Sequence, residues 1–295
     1  MCGVLGLFAR TDAFEERLGE WFVPMLTAMS ERGPESAGVA LYRRGDGRAK
    51  VSVRGPEGFD FELLRKGAES AFGGEASVDV IGSQAVLRAG SEPSALDRFV
   101  SESHPELQVL GVGKAMEIYK DVGTPEEIAD RYGLGRASGS CMIGHTRMAT
   151  ESAVDVEGSH PYCAGSDLCV VHNGSFANHN TLRRNLVDEG IRFDSENDTE
   201  VAARFLQWRL SSGDSLEEAI ERLATSFSGF FTLVIGLDGQ FAVTRDPYAC
   251  KPMVVAETDE YVACASEFRA LAHLPGIQGA ELYEPRPKEV HRWAR

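Results

Sequence analysis

Strand-like apolar runs recur along this 295-residue chain while its helical patterns come in blocks between them, leaving few strand-helix-strand crossovers. The runs are CGVLGLFA (2–9), the stretch after the Gly-Pro turn in ERGPESAGVALYRR (31–44), CMIGHTRM (141–148), LCVVHNGSF (168–176), GFFTLVIGLDGQFAVTRD (229–246) and PMVVAETDEYVACAS (252–266). Within the fifth, Asp238-Gly239 can take the positive backbone angles of a type I′ turn and so predicts a hairpin. Helical spacing marks 13–31, with Leu18, Phe22, Met25, Leu26 and Met29 on one face, and then 178–189, 198–212 and 215–226. Ser215 with Glu218 fits a capping box, Thr124-Pro125-Glu126-Glu127 reads as a helix start, and Ser266 is expected to cap a short last helix. This order predicts two stacked antiparallel sheets covered by helices. A segment from about 50 to 140 reads as strand, helix, strand, strand, helix, strand, which suits an inserted ferredoxin-like α+β unit. RRGDGR (43–48) is expected at a hairpin tip, and residues 276–295 as an extended tail that packs on a partner.

Composition narrows the function classes. Apolar residues make up 43% of the chain, yet no run approaches the roughly 18 to 20 apolar residues of a membrane helix, and no secretion signal opens it; a cytoplasmic protein is expected. A net charge of −15 argues against a general grip on nucleic acid, which needs clustered Lys and Arg. The six cysteines form no CxxC pair and the seven histidines lack metal-like spacing, so no metal or iron–sulfur site is expected in this chain.

Cys2 stands directly behind the initiator methionine. With Met1 removed, one residue carries both a thiol and an α-amine whose ordinary pKa of about 7.7 to 8.0 suits a general base. Asn173-Gly174 ends a strand and can turn a side-chain amide and a backbone N–H together, the two donors a tetrahedral oxyanion needs. Arg147, at another strand end, can hold a carboxylate by two bonds. Asp198 opens a helix, the place of a cap or of an ammonium ligand. Taken singly, these residues read more readily as a small strand residue, an ordinary turn, a surface arginine and a cap.

Together, CGVLGLF, RGPESAG, GHTRMAT, HNGSF and ENDTEV, with RDPYACKPM and ASEFRAL later, resemble in order and spacing the class II glutamine amidotransferases, which are N-terminal-nucleophile (Ntn) hydrolases. The likeness covers residues 2–50 and 141 to about 275, one amidotransferase domain interrupted by the insertion. It implies a four-layer αββα sandwich and hydrolysis of the side-chain amide of glutamine. By position it implies Cys2 as nucleophile with its own amine as base, Asn173 and Gly174 as oxyanion hole, Arg147 on the substrate carboxylate and Asp198 on its ammonium. Arg32, Thr150 and His160 match pocket or loop positions, and TESAVDVEGSHP (150–161) is expected to close over the site. Asn197 departs from the Ser or Asp of many relatives, and compact relatives lack the insertion.

Only about 20 residues follow the family region, so the acceptor site is expected on another polypeptide. GKAMEIYKDVGTPEEIADRYGL, GHTRMATESAVDVEGSHP and RDPYACKP resemble stand-alone amidotransferase subunits of split glutamate-synthase-like enzymes, above all those of N-methylglutamate synthases. That likeness implies a hetero-oligomer with a flavin subunit carrying FMN and an iron–sulfur cluster and with a β-helix subunit, no cofactor lying in this chain. Glutamine or N-methylglutamine would be the substrate. Delivery of ammonia to an ordinary split glutamate synthase, a catalytically silent structural subunit, and an amide hydrolase acting on acylated amines are the alternatives.

Overall fold

The apolar runs become strands buried on both faces. A computed structural model describes residues 2–148, 156 and 158–295. The first strand, Gly3–Ala9, is buried throughout and lies inside a seven-stranded sheet, between Cys141–Arg147 and Tyr261–Ala265. That sheet continues on one side through Ser36–Tyr42 to Met116–Val122, and on the other through Val254–Glu257 to Glu281–Tyr283. A five-stranded sheet holds Val290–Ala294, Gln240–Arg245, Gly229–Leu237, Leu168–Phe176 and Tyr162–Ala164 in that order. All these pairings are antiparallel.

Alternation along each strand sends successive side chains to opposite faces, and here both faces are covered. Val4, Phe8, Ile143, Val171, Phe241 and Val262 fill the space between the two sheets. Phe8 and Phe241 stack across it at 6.0 Å. Gly6 makes that possible, since a Cβ there would lie 2.6 Å from the Phe241 ring. Leu5, Leu7, Val39 and Leu41 point outward against Leu18, Phe22, Met25 and Leu26 of the helix Leu18–Thr27. On the far side, Val170, Leu233 and Ile235 meet Val201, Leu206, Ile220 and Leu223 from the helices Asp198–Ser211 and Leu216–Ser226. The layers are therefore helix, sheet, sheet, helix, and each buried Phe or Leu contributes roughly 1.5 to 3 kcal/mol.

Both capping boxes form, on Thr124 with Glu127 and on Ser215 with Glu218. The single helix expected over 13–31 is broken into Asp12–Glu15 and Leu18–Thr27. Arg17 leaves helical geometry between them, and Gly19 then passes so close to Leu134 that a Cβ would meet its carbonyl oxygen at 1.9 Å. Ser266 is no helix cap: its hydroxyl accepts from the Val4 N–H at 3.0 Å, and Glu267 precedes the last helix.

The inserted unit comprises Ala49–Arg54, the helix Phe61–Phe72, Ser77–Ile81, Gln84–Ala89, the helix Pro93–Ser103 and Gln108–Gly113. Its strands lie in the spatial order second, third, first, fourth, with antiparallel pairing, which is ferredoxin-like topology. Val51, Leu64, Leu87, Leu96 and Val100 give it a core of its own. It ends at Gly113; Met116–Val122 and the helix Pro125–Arg131 belong to the sandwich. RRGDGR therefore joins two sheets and is not a hairpin tip, because Ser36–Tyr42 and Ala49–Arg54 lie in different sheets. Asp167 clamps the return: one carboxylate oxygen accepts the N–H groups of Lys114, Ala115 and Met116 at 3.0, 2.9 and 2.9 Å.

Residues 276–295 are not an extended tail. Glu281–Tyr283 and Val290–Ala294 are edge strands, one in each sheet, the latter paired along Gln240–Arg245. Among the described residues no helix is long and apolar enough to cross a membrane.

Candidate active site

Register places the candidate nucleophile. Gly3 pairs with Thr146, so one step beyond that pair Cys2 and Arg147 stand at the same end of the first sheet. A side chain at position 3 would meet the Thr146 hydroxyl at 2.7 Å and Met29 Cβ at 3.2 Å, which is why glycine follows the cysteine. The Cys2 thiol is free and the residue half-buried. Arg32 holds its backbone: Nε donates to the Cys2 carbonyl at 3.1 Å, Nη1 pairs with Glu267 at 2.8 Å, and Nη2 is buried without a partner among the described residues. Arg32 thus grips the main chain of Cys2. Arg147 is 8% exposed at its strand end.

The second sheet brings Asn173 and Gly174 to this end through a bond between the layers. His145, two residues before Arg147, donates from Nε2 to the His172 carbonyl at 3.1 Å, one residue before Asn173. Asn173 is buried, and its side-chain nitrogen has no hydrogen-bond acceptor among the described residues. Gly174 takes φ +143°, and a Cβ there would lie 1.9 Å from the Phe230 carbonyl oxygen, so only glycine fits. Its neighbour across the ladder, Phe231, gives its N–H to the Asp246 carboxylate at 2.8 Å and takes the Asp246 N–H at 3.0 Å. Opposed antiparallel residues exchange both bonds or neither. The Gly174 N–H therefore points away from that strand, and the strand on its other side reaches only as far as the Tyr162–Val170 pair. Among the described residues the buried Asn173 side-chain nitrogen has no acceptor, and the register turns the next N–H, that of Gly174, away from the neighbouring strand.

Asp198 is the first residue of its helix, and the cap is Asn197, whose side chain accepts from the Thr199 N–H at 2.8 Å. One Asp198 oxygen accepts the Phe176 N–H at 3.0 Å and the other the Thr199 hydroxyl at 3.3 Å. These bonds pin the helix to the strand that carries Asn173, with the carboxylate still about one-fifth exposed. His160 is buried beneath this region, its Nε2 2.8 Å from Thr199 Oγ1 and its ring stacked on His145 at 4.0 Å. Burial pushes the imidazole of His145 down to about 3, with His172 adding to the effect, and holds His160 well below the usual range. His172 is lowered by burial, and the nearby Asp198 opposes the shift. All three rings are neutral at physiological pH.

Thr150 and most of the 150–161 loop lie outside the described residues. A cleft of about 1220 Å³ between the inserted unit and the helix Asp198–Ser211 is lined by Asp97, Lys114, Cys163 and Arg204, and by none of Cys2, Arg147, Asn173 or Asp198. Sequence reasoning missed Thr199, the grip of Arg32 on the Cys2 carbonyl and the inter-sheet role of His145; the last two have no local signal, and Thr199 showed only as a helix-start residue.

Residues 145–273 match the family model described as glutamine amidotransferase domain. A Rhizobium meliloti protein described as glutamine amidotransferase-like protein GlxB is 46% identical over 99% of this chain and 98% of its own length. A putative glutamine amidotransferase of Methanothermobacter thermautotrophicus is 30% identical over 99% of both. In fold, the chain is similar to the glutamine phosphoribosylpyrophosphate amidotransferase from B. subtilis, with a TM-score of 0.63 at 19% identity; it covers 99% of this chain and 47% of that one. With these two full-length relatives and the αββα layering in one chain, the protein belongs to the class II glutamine amidotransferase family.

Proposed function

We propose that this chain hydrolyses the side-chain amide of glutamine through a thioester on Cys2. The observation that carries this reading is the Asn173 side-chain nitrogen, a buried donor without an acceptor among the described residues, followed in sequence by a Gly174 N–H that the register turns away from the neighbouring strand. Leaving such a donor unmade is costly unless a ligand completes it. With Met1 removed, the Cys2 α-amine takes the thiol proton and Sγ attacks the amide carbon. The developing oxyanion accepts from Asn173 Nδ2 and the Gly174 N–H, each such donor being worth about 10² to 10³ in rate. The ammonium returns its proton to the leaving nitrogen, the C–N bond breaks and the amine departs. Water, deprotonated by the same amine, then opens the thioester to glutamate and the free thiol. Arg147 holds the substrate carboxylate and Asp198 its ammonium, with Thr150 and His160 in or behind the pocket.

The finer reading is a subunit of an N-methylglutamate synthase, accepting glutamine or its N-methyl amide and passing the amine to a partner flavin subunit that carries FMN and an iron–sulfur cluster, with a β-helix subunit completing the hetero-oligomer. Its support is the resemblance of the motifs quoted above. Steady-state assays on glutamine and γ-glutamylmethylamide, with and without co-purified partner chains, test it. Turnover of both amides with transfer of methylamine, abolished in Cys2→Ala, is the expected result. Release of ammonia alone, whatever the partner, points to an ordinary split glutamate synthase. No turnover of either amide by the complete complex makes the chain a structural subunit and ends the proposal.

A further inference from the structure

Thr199 belongs to no motif role assigned so far, yet three groups of the site converge on its hydroxyl. It is fully buried, with His160 Nε2 at 2.8 Å, His172 Nδ1 at 3.0 Å and Asp198 Oδ1 at 3.3 Å. These partners come from three places: the segment before Tyr162–Ala164, the strand that carries Asn173, and the first turn of the helix itself. A hydroxyl donates once and accepts twice. A carboxylate only accepts, so the Thr199 proton goes to Asp198 and both rings donate to the Thr199 oxygen. His172 is then protonated on Nδ1 and His160 on Nε2. Any other arrangement of neutral rings puts a proton on His172 Nε2 or His160 Nδ1, and both of those atoms are buried with no partner among the described residues. The assignment found is the one that buries no unpaired N–H, the costlier defect.

We infer that Thr199 is the positioning residue of this site: its hydroxyl fixes the tautomers of His160 and His172 and, through them and Asp198, holds the Asn173 amide and the Asp198 carboxylate in place before substrate arrives. The chain of contacts is continuous. The His172 carbonyl is tied to His145, the residue after His172 is Asn173, and Asp198 is tied to Phe176 of the same strand. The inference rests on the glutaminase reading above, but its first test does not.

Ring-nitrogen NMR of the ¹⁵N-histidine-labelled protein reads the tautomers directly. The Nδ1–H form of His172 and the Nε2–H form of His160 are expected, and the opposite tautomer in either ring overturns the assignment whether or not the enzyme is active. Thr199→Val keeps the shape and removes the hydroxyl. It is expected to lose the fixed tautomers and to lower kcat/KM for glutamine by about 10- to 100-fold, the worth of a hydrogen bond to a charged group, with both KM and kcat affected. Thr199→Ser restores both readouts. Wild-type kinetics in folded Thr199→Val refute the positioning role, whereas an inactive wild type with the expected tautomers refutes only the glutaminase reading.

Discussion

Three neutral imidazoles sealed between the layers make the fold acid-sensitive well above the range where carboxylates titrate. His145, His160 and His172 are 1%, 7% and 3% exposed, and burial lowers all three, His145 to about 3. In the unfolded chain each ring protonates near 6.5. A group whose folded pKa is depressed contributes stability that is complete above the unfolded pKa and is lost as pH falls toward the folded one, for His145 from about 6.5 toward 3. Between pH 7 and 5 a ring that stays neutral in the native state costs about 2 kcal/mol, so His145 and His160 together cost about 4 kcal/mol, and His172, lowered by burial against the pull of Asp198, adds to that. That is a large share of the roughly 5 to 15 kcal/mol of a typical domain. Glu117, held below the usual carboxylate range by Arg43, Lys50 and Arg88 despite burial, and Glu257, held there by the hydroxyl of Tyr283 and by Arg10 despite burial, lose their contribution only at lower pH. Urea unfolding at pH 7, 6 and 5 measures the effect. The slope at pH 5 should reach at least about two protons taken up on unfolding, from His145 and His160, and His145→Gln, which keeps a donor for the His172 carbonyl, should remove one of them. A free energy of unfolding that stays level from pH 7 to 5 would refute the argument.

Other expectations follow from single contacts. Gly174→Ala drives a Cβ to 1.9 Å from the Phe230 carbonyl at φ +143°; the strand must shift, and glutaminase kcat should fall by about 10² to 10³ with the protein still folded by circular dichroism. Asp167→Ala orphans the N–H groups of Lys114, Ala115 and Met116 and should lower stability by about 3 kcal/mol or more in denaturant unfolding, with Asp167→Asn costing less because asparagine keeps an acceptor and tolerates the positive φ of 60°. Arg32→Lys loses the fork that joins the Cys2 carbonyl to Glu267 and should lower kcat while leaving KM for glutamine nearly unchanged.

The residue pattern by itself determined the layers, because a strand that is apolar on both faces can be buried only inside a stack, and alternation, turn pairs and capping boxes act within a few residues. Motif order likewise marked Cys2, Arg147, Asn173, Gly174 and Asp198 as a set. Tertiary structure alone decided what holds them. The Arg32–Cys2, His145–His172 and His160–Thr199 bonds join residues 30, 27 and 39 positions apart, and no local rule pairs such residues. It also decided that the C-terminal residues close both sheets: a strand at a sheet edge is selected by the partner it finds, here Gln240–Arg245 and Val254–Glu257, and its own sequence reads equally well as a solvated tail.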